Sequence, residues 1–354
     1  MKNNIKFSIG YNLDFKLLDL IAKNKNHISS MYFPVPNSIS GSGRIEKHHD
    51  DYIKSIGKII SFCNDSNIKS ILLLNATCDG IGIADNYYIK DVVDYVHNMH
   101  KEGLKAVSIV NHLYTPLLKD RCPNLEIIAS INCYVKTVEH AMHLKNSGVD
   151  VITIDRDINY DLETIKNIKS STGLKIQLLL NEGCLDNCPF RQMHFNLNSH
   201  KVSIEEAQYF IQNACLKSFE TNPDLILSSP VIRPEDIHNY FEIADYFKIS
   251  SRNYKLEEIK TVLDAYIDRE YRGNFLDLVS SRNLKNMMYL DNTKLEGLFE
   301  KKIKCLYKKR VYGCSNCTTC SNYFHDAVVK SSSRKTYNNL GNLLKISDIS
   351  KTTD

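Results

Sequence analysis

Short apolar, β-branched runs recur along the chain at intervals that leave room for one helix between each pair. They fall at 6–10, 28–33, 70–75, 106–110, 125–130, 150–155, 175–180 and 246–250. Their hydrophobicity is continuous rather than alternating, as strands buried on both faces require, so the pattern predicts a parallel, helix-covered sheet. Amphipathic segments at 87–99, 136–147 and 162–170 supply covering helices. The last two run into Gly148 and Gly173, where glycine can take the left-handed conformation that ends a helix. The repeated unit favours a closed (β/α)8 TIM-like barrel over an open doubly wound sheet. Neither a G-x-G-x-x-G loop after the first strand nor a G-x-x-x-x-G-K motif occurs.

The spacing breaks once, across the 65 residues between Leu180 and Tyr246, which predicts an insertion after the seventh strand. A helix at 203–218 and a short apolar run at 225–228 lie inside it. A helix at 256–269 completes the barrel. The expected organisation is a barrel over 1–290, with 184–245 as a cysteine-bearing insertion, and a lysine- and cysteine-rich extension over 291–354.

Composition narrows the class. With 43% hydrophobic and 24% charged residues, the 354-residue chain resembles an ordinary globular protein and excludes wholesale disorder. A net charge of +4 permits a nucleic-acid partner without requiring one. A basic, apolar, small-residue leader is absent and the apolar runs are far too short to span a bilayer, so a cytoplasmic location and no membrane partner are expected. In that setting eleven cysteines read as metal ligands sooner than as disulfides.

The cysteines form two constellations. Cys184 and Cys188 follow the seventh strand directly, at the carboxyl-terminal rim where barrel active sites are built, and Cys215 follows 27 positions later. Cys305 precedes a C-x2-C-x2-C run, Cys314, Cys317 and Cys320, which resembles the first three ligands of a bacterial cluster motif but lacks its fourth C-P element. Thiolates this close repel one another unless a cation neutralises them. One 4Fe-4S cluster, or two, is the expected cofactor, with zinc as the alternative. Cys320 or another tail thiol can complete the rim set, or the tail can form its own site. The isolated Cys63, Cys78, Cys122 and Cys133 read as small buried hydrophobes.

Residues just after each strand should face one pocket: Tyr11, Asn12, Asn75, Asn111, His112, Asn132, Asp155, Arg156, Glu182 and Arg252. His194, His112, Glu182 and Asp155 are the acid–base candidates. Arg191, Arg233 and Arg252, with Asn75 and Tyr11, are candidates for holding a polar, anionic substrate, because guanidinium groups offer paired donors. The loop Ser40-Gly41-Ser42-Gly43-Arg44 could cradle an anion. His48-His49-Asp50-Asp51 reads as a helix start.

Three stretches carry a family resemblance: Asn181-Glu182-Gly183-Cys184 with Asn187-Cys188-Pro189-Phe190-Arg191 and His194-Phe195, then 229–236, then Phe247-Lys248-Ile249-Ser250-Ser251-Arg252. In these the chain is similar to the collagenase-like peptidases, the U32 peptidase family. That resemblance implies a barrel and, from several of its groups, a four-iron cluster on four cysteines and oxygen-independent hydroxylation of a quinone precursor or of RNA bases. It makes Cys184 and Cys188 the first ligands and Cys215 the third. The C-x3-C spacing and the cysteine tail depart from those groups and leave the fourth ligand open.

The expected function is an iron–sulfur enzyme modifying a polar or anionic substrate at the rim, with an electron donor, an accessory subunit or RNA as possible partners. The alternatives are an open-iron lyase or sulfur-transfer enzyme, a U32-type peptidase, and a non-catalytic metal-binding subunit. The sequence has neither a G-x-S-x-G elbow nor an H-E-x-x-H helix.

Overall fold

The computed structural model describes residues 5–44, 50–200, 212–280, 288–312, 314 and 317–329. Eight strands run parallel in chain order: β1 (Phe7–Gly10), β2 (Ile28–Pro34), β3 (Lys69–Leu74), β4 (Ala106–Ile109), β5 (Glu126–Ala129), β6 (Val151–Thr153), β7 (Lys175–Leu179) and β8 (Tyr246–Ile249). Each pairs with the next, and β8 returns to β1 with Phe7 opposite Phe247 and Ile9 opposite Ile249, closing a (β/α)8 barrel. Every strand lies within one of the apolar runs or overlaps it closely. Burial on both faces is the reason those runs could be read.

Alternation along each strand divides the apolar residues into two layers. Phe33, Leu72, Val107, Ile127, Ile152 and Phe247 pack outward under the helices. Tyr32, Ile71, Leu73, Ala106, Ile128 and Val151 fill the lumen, with Tyr246 against them. Lys69, Lys175 and Glu126 close its amino-terminal end, with Nζ–Oε distances of 2.6 and 3.7 Å. Toward the carboxyl end the inward positions turn polar, at Ser8, Ser30, Ser108, Thr153 and Gln177, and lead into the mouth.

Gly10 lets two mouth side chains approach the wall. A Cβ there would stand 2.6 Å from Cγ of Arg252 and 2.7 Å from Cζ of Tyr32. Gly10→Ala should therefore destabilise the protein by about 1–3 kcal/mol through overpacking. A urea midpoint equal to that of the wild type would show that Arg252 and Tyr32 yield freely.

A second apolar core contains Leu185, Phe219, Ile226, Leu227, Phe275, Leu276, Leu298 and Phe324. It joins the excursion after β7, the segment after helix Leu256–Asp268, and the carboxyl-terminal helices Leu298–Tyr312 and Thr319–Ala327. The run at 225–228 is a helical turn, Leu225–Ser228. β7 and β8 pair directly with each other, which leaves no sheet edge for it. Of the helix expected at 203–218, residues 203–211 lie outside the described residues. Gln212–Leu216 is a π-turn and Lys217–Thr221 an α-helix that stops before Pro223. Histidines 48 and 49 also lie outside the described residues, while helix Asp50–Asp65 begins just beyond them. Among the described residues, no helix is long and apolar enough to cross a membrane.

Candidate active site and thiol sites

The loops after β2, β5, β6, β7 and β8 deliver a dense set of charged and polar side chains to the barrel mouth. Arg156, directly after Asp155, is fully buried. Its Nη2 donates to Oδ1 of Asn132 at 3.1 Å, its Nε lies 4.0 Å from Oε2 of Glu182, and its guanidinium stands 5.3 Å from the centroid of the Phe195 ring. Nε and Nη1 of Arg156 find no hydrogen-bond partner among the described residues. The same holds for Nε of Arg191, Oδ2 of Asp155 and the hydroxyl of Tyr134, all buried. The four side chains are neighbours: Arg156, Arg191, Asp155 and the Cys184 thiol all act on the Tyr134 phenol. Tyr134 itself sits at φ 55°, a left-handed conformation unusual for a bulky residue and common where a side chain is held for function.

Two adjacent carboxyls in this group are pushed apart. Burial and the charge of Asp157 raise the Asp155 carboxyl above its ordinary value, against the opposing pull of Arg156. Burial would raise Asp157 as well, but Arg191 and Lys136 overcome it and hold that carboxyl well below the usual range. Arg191 grips Asp157 with two hydrogen bonds, at 2.5 and 2.8 Å, and Lys136 adds a third at 2.9 Å. Such a split is how a site keeps one carboxyl ionised and lets its neighbour hold a proton.

The glycine loop after β2 folds into the mouth. Gly43 N donates to Oδ1 of Asn75 at 3.1 Å, and Asn198 Nδ2 donates to the Gly43 carbonyl at 3.2 Å. A Cβ on Gly41 would strike the Ser199 carbonyl, so small residues are what allow the loop to seat. Its Arg44 donates from Nη2 to Oγ of Ser250 at 2.6 Å, and Arg252 donates from Nη1 to Oγ of Ser42 at 3.4 Å. Cations thus outnumber carboxylates at the mouth: Arg44, Arg156, Arg191, Arg252 and Lys248 face Asp155, Asp157 and Glu182. The Glu182 carboxyl, which burial would raise, is held low by Arg156, Arg44 and Arg191. It accepts from the Ser280 hydroxyl at 3.2 Å and from the Cys184 thiol at 3.5 Å. His194 stacks on Phe195, and burial first, then Arg44, lowers its imidazole below the ordinary histidine value.

The thiols form two groups. Cys188 is near enough to both Cys184 and Cys215 for a charge on it to raise their thiol pKa values, after the larger effect of burial. Cys188, Cys215 and Cys320 all pack against the second core. Burial pushes the Cys320 thiol up to about 11; Lys302 opposes the shift, and Cys305, Cys314 and Cys317 add to it. Cys314 and Cys317 are exposed. Among the described residues, no three His, Cys, Asp or Glu side chains stand close enough to hold a single metal ion.

Several expected site residues lie elsewhere. Tyr11 packs outward against Phe15 and Tyr52 and is 2% exposed, because Gly10 takes the inward position before it. Arg233 is held by Asp236 at 3.0 Å within its own loop and by the distant Asn292 carbonyl at 3.0 Å. His112 is bound between Thr115 and Cys133, with Nε2 3.3 Å from the Cys133 sulfur. Asn12 and Asn111 serve local contacts with Tyr254 and Asp79. Lys302, part of the basic run, is 8% exposed and donates to the Ser229 carbonyl over the ring of Tyr160. The expectation missed Lys248, Tyr134 and Asp157. Lys248 was legible as a lone lysine sharing the inward parity of Tyr246 and Ser250, whereas nothing in the sequence marks Tyr134.

The segment from the glycine loop to the first cysteine is also where known proteins agree with this one. Residues 42–185 match the model of peptidase family U32. That span supplies Asn132, Tyr134, Asp155, Arg156 and Glu182. The uncharacterized protease MJ1657 of Methanocaldococcus jannaschii is 28% identical over 342 residues, covering 91% of this chain and 98% of that protein. Over these spans the chain is similar to the U32 peptidases. Among solved structures, the U32 peptidase Mk0906 aligns with a TM-score of 0.49 at 16% identity, over 70% of this chain and 94% of that one. A conserved Enterococcus faecalis protein of unknown function aligns with a TM-score of 0.41 at 11% identity, over 80% and 71%.

Proposed function

We propose that this U32-like protein is an enzyme that binds an anionic substrate at the barrel mouth, beside an iron–sulfur cluster held by Cys184, Cys188 and Cys215. The observation that carries the reading is the convergence of unpaired buried polar atoms on Tyr134, Asp155, Arg156 and Arg191 next to the Cys184 thiol. Buried donors left without acceptors cost about 1–3 kcal/mol each, so such a cluster belongs where a ligand completes the bonding.

The donor set suits a thiolate-held centre. Burial and the Glu182 carboxylate push the Cys184 thiol far up, so a bare thiolate there is unfavourable, and a bound metal is what would deprotonate it. Cys184, Cys188 and Cys215 would hold the group, with a fourth ligand from the tail or the substrate. When bound, it supplies electron transfer or, with one open iron, Lewis acidity; the family resemblance points to oxygen-independent hydroxylation of an aromatic or nucleobase ring. Arg156 and Arg191 orient the anion through paired donors, Asp155 holds or gives a proton at Oδ2, and His194 can accept one.

Arg156→Lys keeps the charge but removes the paired donors. In the wild type, phosphate or a small dicarboxylate should raise thermal stability beyond the effect of an equal ionic strength of chloride, by about 2.7 kcal/mol at a hundredfold excess over Kd. The variant should lose that gain. Equal stabilisation of both proteins, or none of the wild type, contradicts the anion site.

Peptide hydrolysis is the second reading, favoured by the similarity to proteins named as peptidases or proteases and by the Cys133–His112 contact. The pair is poorly activated: burial pushes the Cys133 thiol up to about 12, and burial with His140 nearby lowers His112 to about 4. Both groups are neutral at pH 7, the opposite of a thiolate–imidazolium nucleophile. Gelatin or casein cleavage that disappears in Cys133→Ala would establish this reading against the first.

A further inference from the structure

Lys248 lies on β8 between inward-facing Tyr246 and Ser250, so its side chain enters the lumen below the mouth. Its Nζ stands 4.1 Å from the centroid of the Tyr32 ring. Among the described residues no carboxylate lies within ion-pair distance of it. Two guanidinium groups sit above it: Arg44 is bound to Ser250, two residues along the strand, and Arg252 is bound to Ser42. The remaining charge that faces it is Glu182 on the loop after β7, which already neighbours Arg156 and accepts from Ser280 and Cys184. Tyr32 of β2 is the other titratable group against it, and its phenol donates to the Ile249 carbonyl at 2.7 Å. The enclosure changes the amine: burial first, then Arg252 and Arg44, lower Lys248 to about 7, with Glu182 opposing. A lysine shielded from water beside other cations is one that nature uses as a nucleophile.

We propose that Lys248 forms a Schiff base with a small aldehyde or ketone whose carboxylate or phosphate is held by Arg44 and Arg252. The unprotonated amine attacks the carbonyl carbon, and the C–O π pair moves to oxygen. A proton passes from nitrogen to that oxygen, a second proton from solvent lets it leave as water, and an iminium remains on Nζ. The step is a condensation with no change of oxidation state, and the Tyr32 face is placed to stabilise the cation formed. The inference stands apart from the cluster reading, because the amine would react in a chain without iron.

The test is reductive trapping on the full chain at neutral pH, with pyruvate and, separately, pyridoxal 5′-phosphate as probes. Borohydride reduction and peptide mass mapping locate the adduct. Lys248 is expected to carry the dominant adduct, and its labelling in the wild type should rise through a midpoint near 7 rather than near the ordinary lysine value of about 10.4. Arg44→Gln and Arg252→Gln should each move the Lys248 labelling midpoint upward and, compared at equal fractions of free amine, slow pyruvate labelling about tenfold more than acetaldehyde labelling, because only pyruvate needs the guanidinium groups to hold its carboxylate. Lys248→Arg should remove the adduct. Because the pH midpoint is read on the wild type, a variant that fails to fold does not rescue the idea. Labelling spread over surface lysines with Lys248 unmodified, or a Lys248 midpoint near that of an exposed lysine, overturns it.

Discussion

Asp157→Ala is expected to destabilise the protein by about 3–5 kcal/mol, the usual cost of breaking a buried ion pair from one side. The carboxylate takes two hydrogen bonds from Arg191 and one from Lys136, and Arg191 is only 6% exposed. Without Asp157 the guanidinium keeps its bond to the Leu185 carbonyl and only the longer ion pair to Asp155, at 3.9 Å, where no hydrogen bond forms. Urea unfolding at pH 7 reads the loss directly. The pH dependence has a definite sign. A carboxyl whose folded pKa is depressed contributes stability that is present above its unfolded value of about 4 and is lost as pH falls through the folded value. Wild type and variant should therefore differ most at neutral pH, and the gap should begin to shrink near pH 4 and close only in stronger acid. A gap that stays constant down to strongly acid pH would mean that Asp157 acts through packing alone. Asp155→Asn should cost much less, because the Asp155 carboxyl is raised rather than stabilised by its surroundings.

The second large effect concerns the thiols. Cys188 lies within range of both Cys184 and Cys215, so Cys188→Ser should cost the chain most of its bound iron and sulfide. Cys63→Ser is the control, because Cys63 is a residue of helix Asp50–Asp65 buried in the main core. Substituting Cys314 or Cys317, which are exposed, separates the tail from the rim. If iron survives at the rim without them, the fourth ligand is not one of these two. If all iron leaves, the two groups share one centre. The shared packing of Cys188, Cys215 and Cys320 on the second core makes a contribution from the tail structurally accessible.

Much of this architecture is written in the chain because the barrel imposes a simple rule on it. Strands enclosed on both sides must be apolar throughout, and eight such runs cannot be mistaken for surface elements. The rule also delivers Asn132, Asp155, Glu182 and Arg252 to the mouth. It fails beyond the strand ends: Tyr11 stands one residue past the inward Gly10 and packs outward, and His112, although it shares the inward parity of β4, is taken up by Thr115 and Cys133. Arg233 looked like an anion clamp because its own counter-charge, Asp236, lies three residues ahead and closes a local pair that composition does not reveal. Tyr134 shows the opposite failure. Its left-handed backbone and its nearness to Arg156 and Asp155 depend on how β5 and β6 sit together, which no local pattern encodes. The insertion after β7 was legible as extra length, but its packing with the carboxyl-terminal helices depended on tertiary contacts between distant segments.

The central claim, a thiolate-held cluster beside an anion pocket, is tested most directly by measuring iron, labile sulfide and zinc per chain in protein purified without oxygen. The account predicts about four irons and four sulfides for one cluster, or about eight of each for two, with no stoichiometric zinc. Stoichiometric zinc without sulfide, or thiols that bind no metal at all, would contradict it and leave the mouth residues and Lys248 to account for function alone.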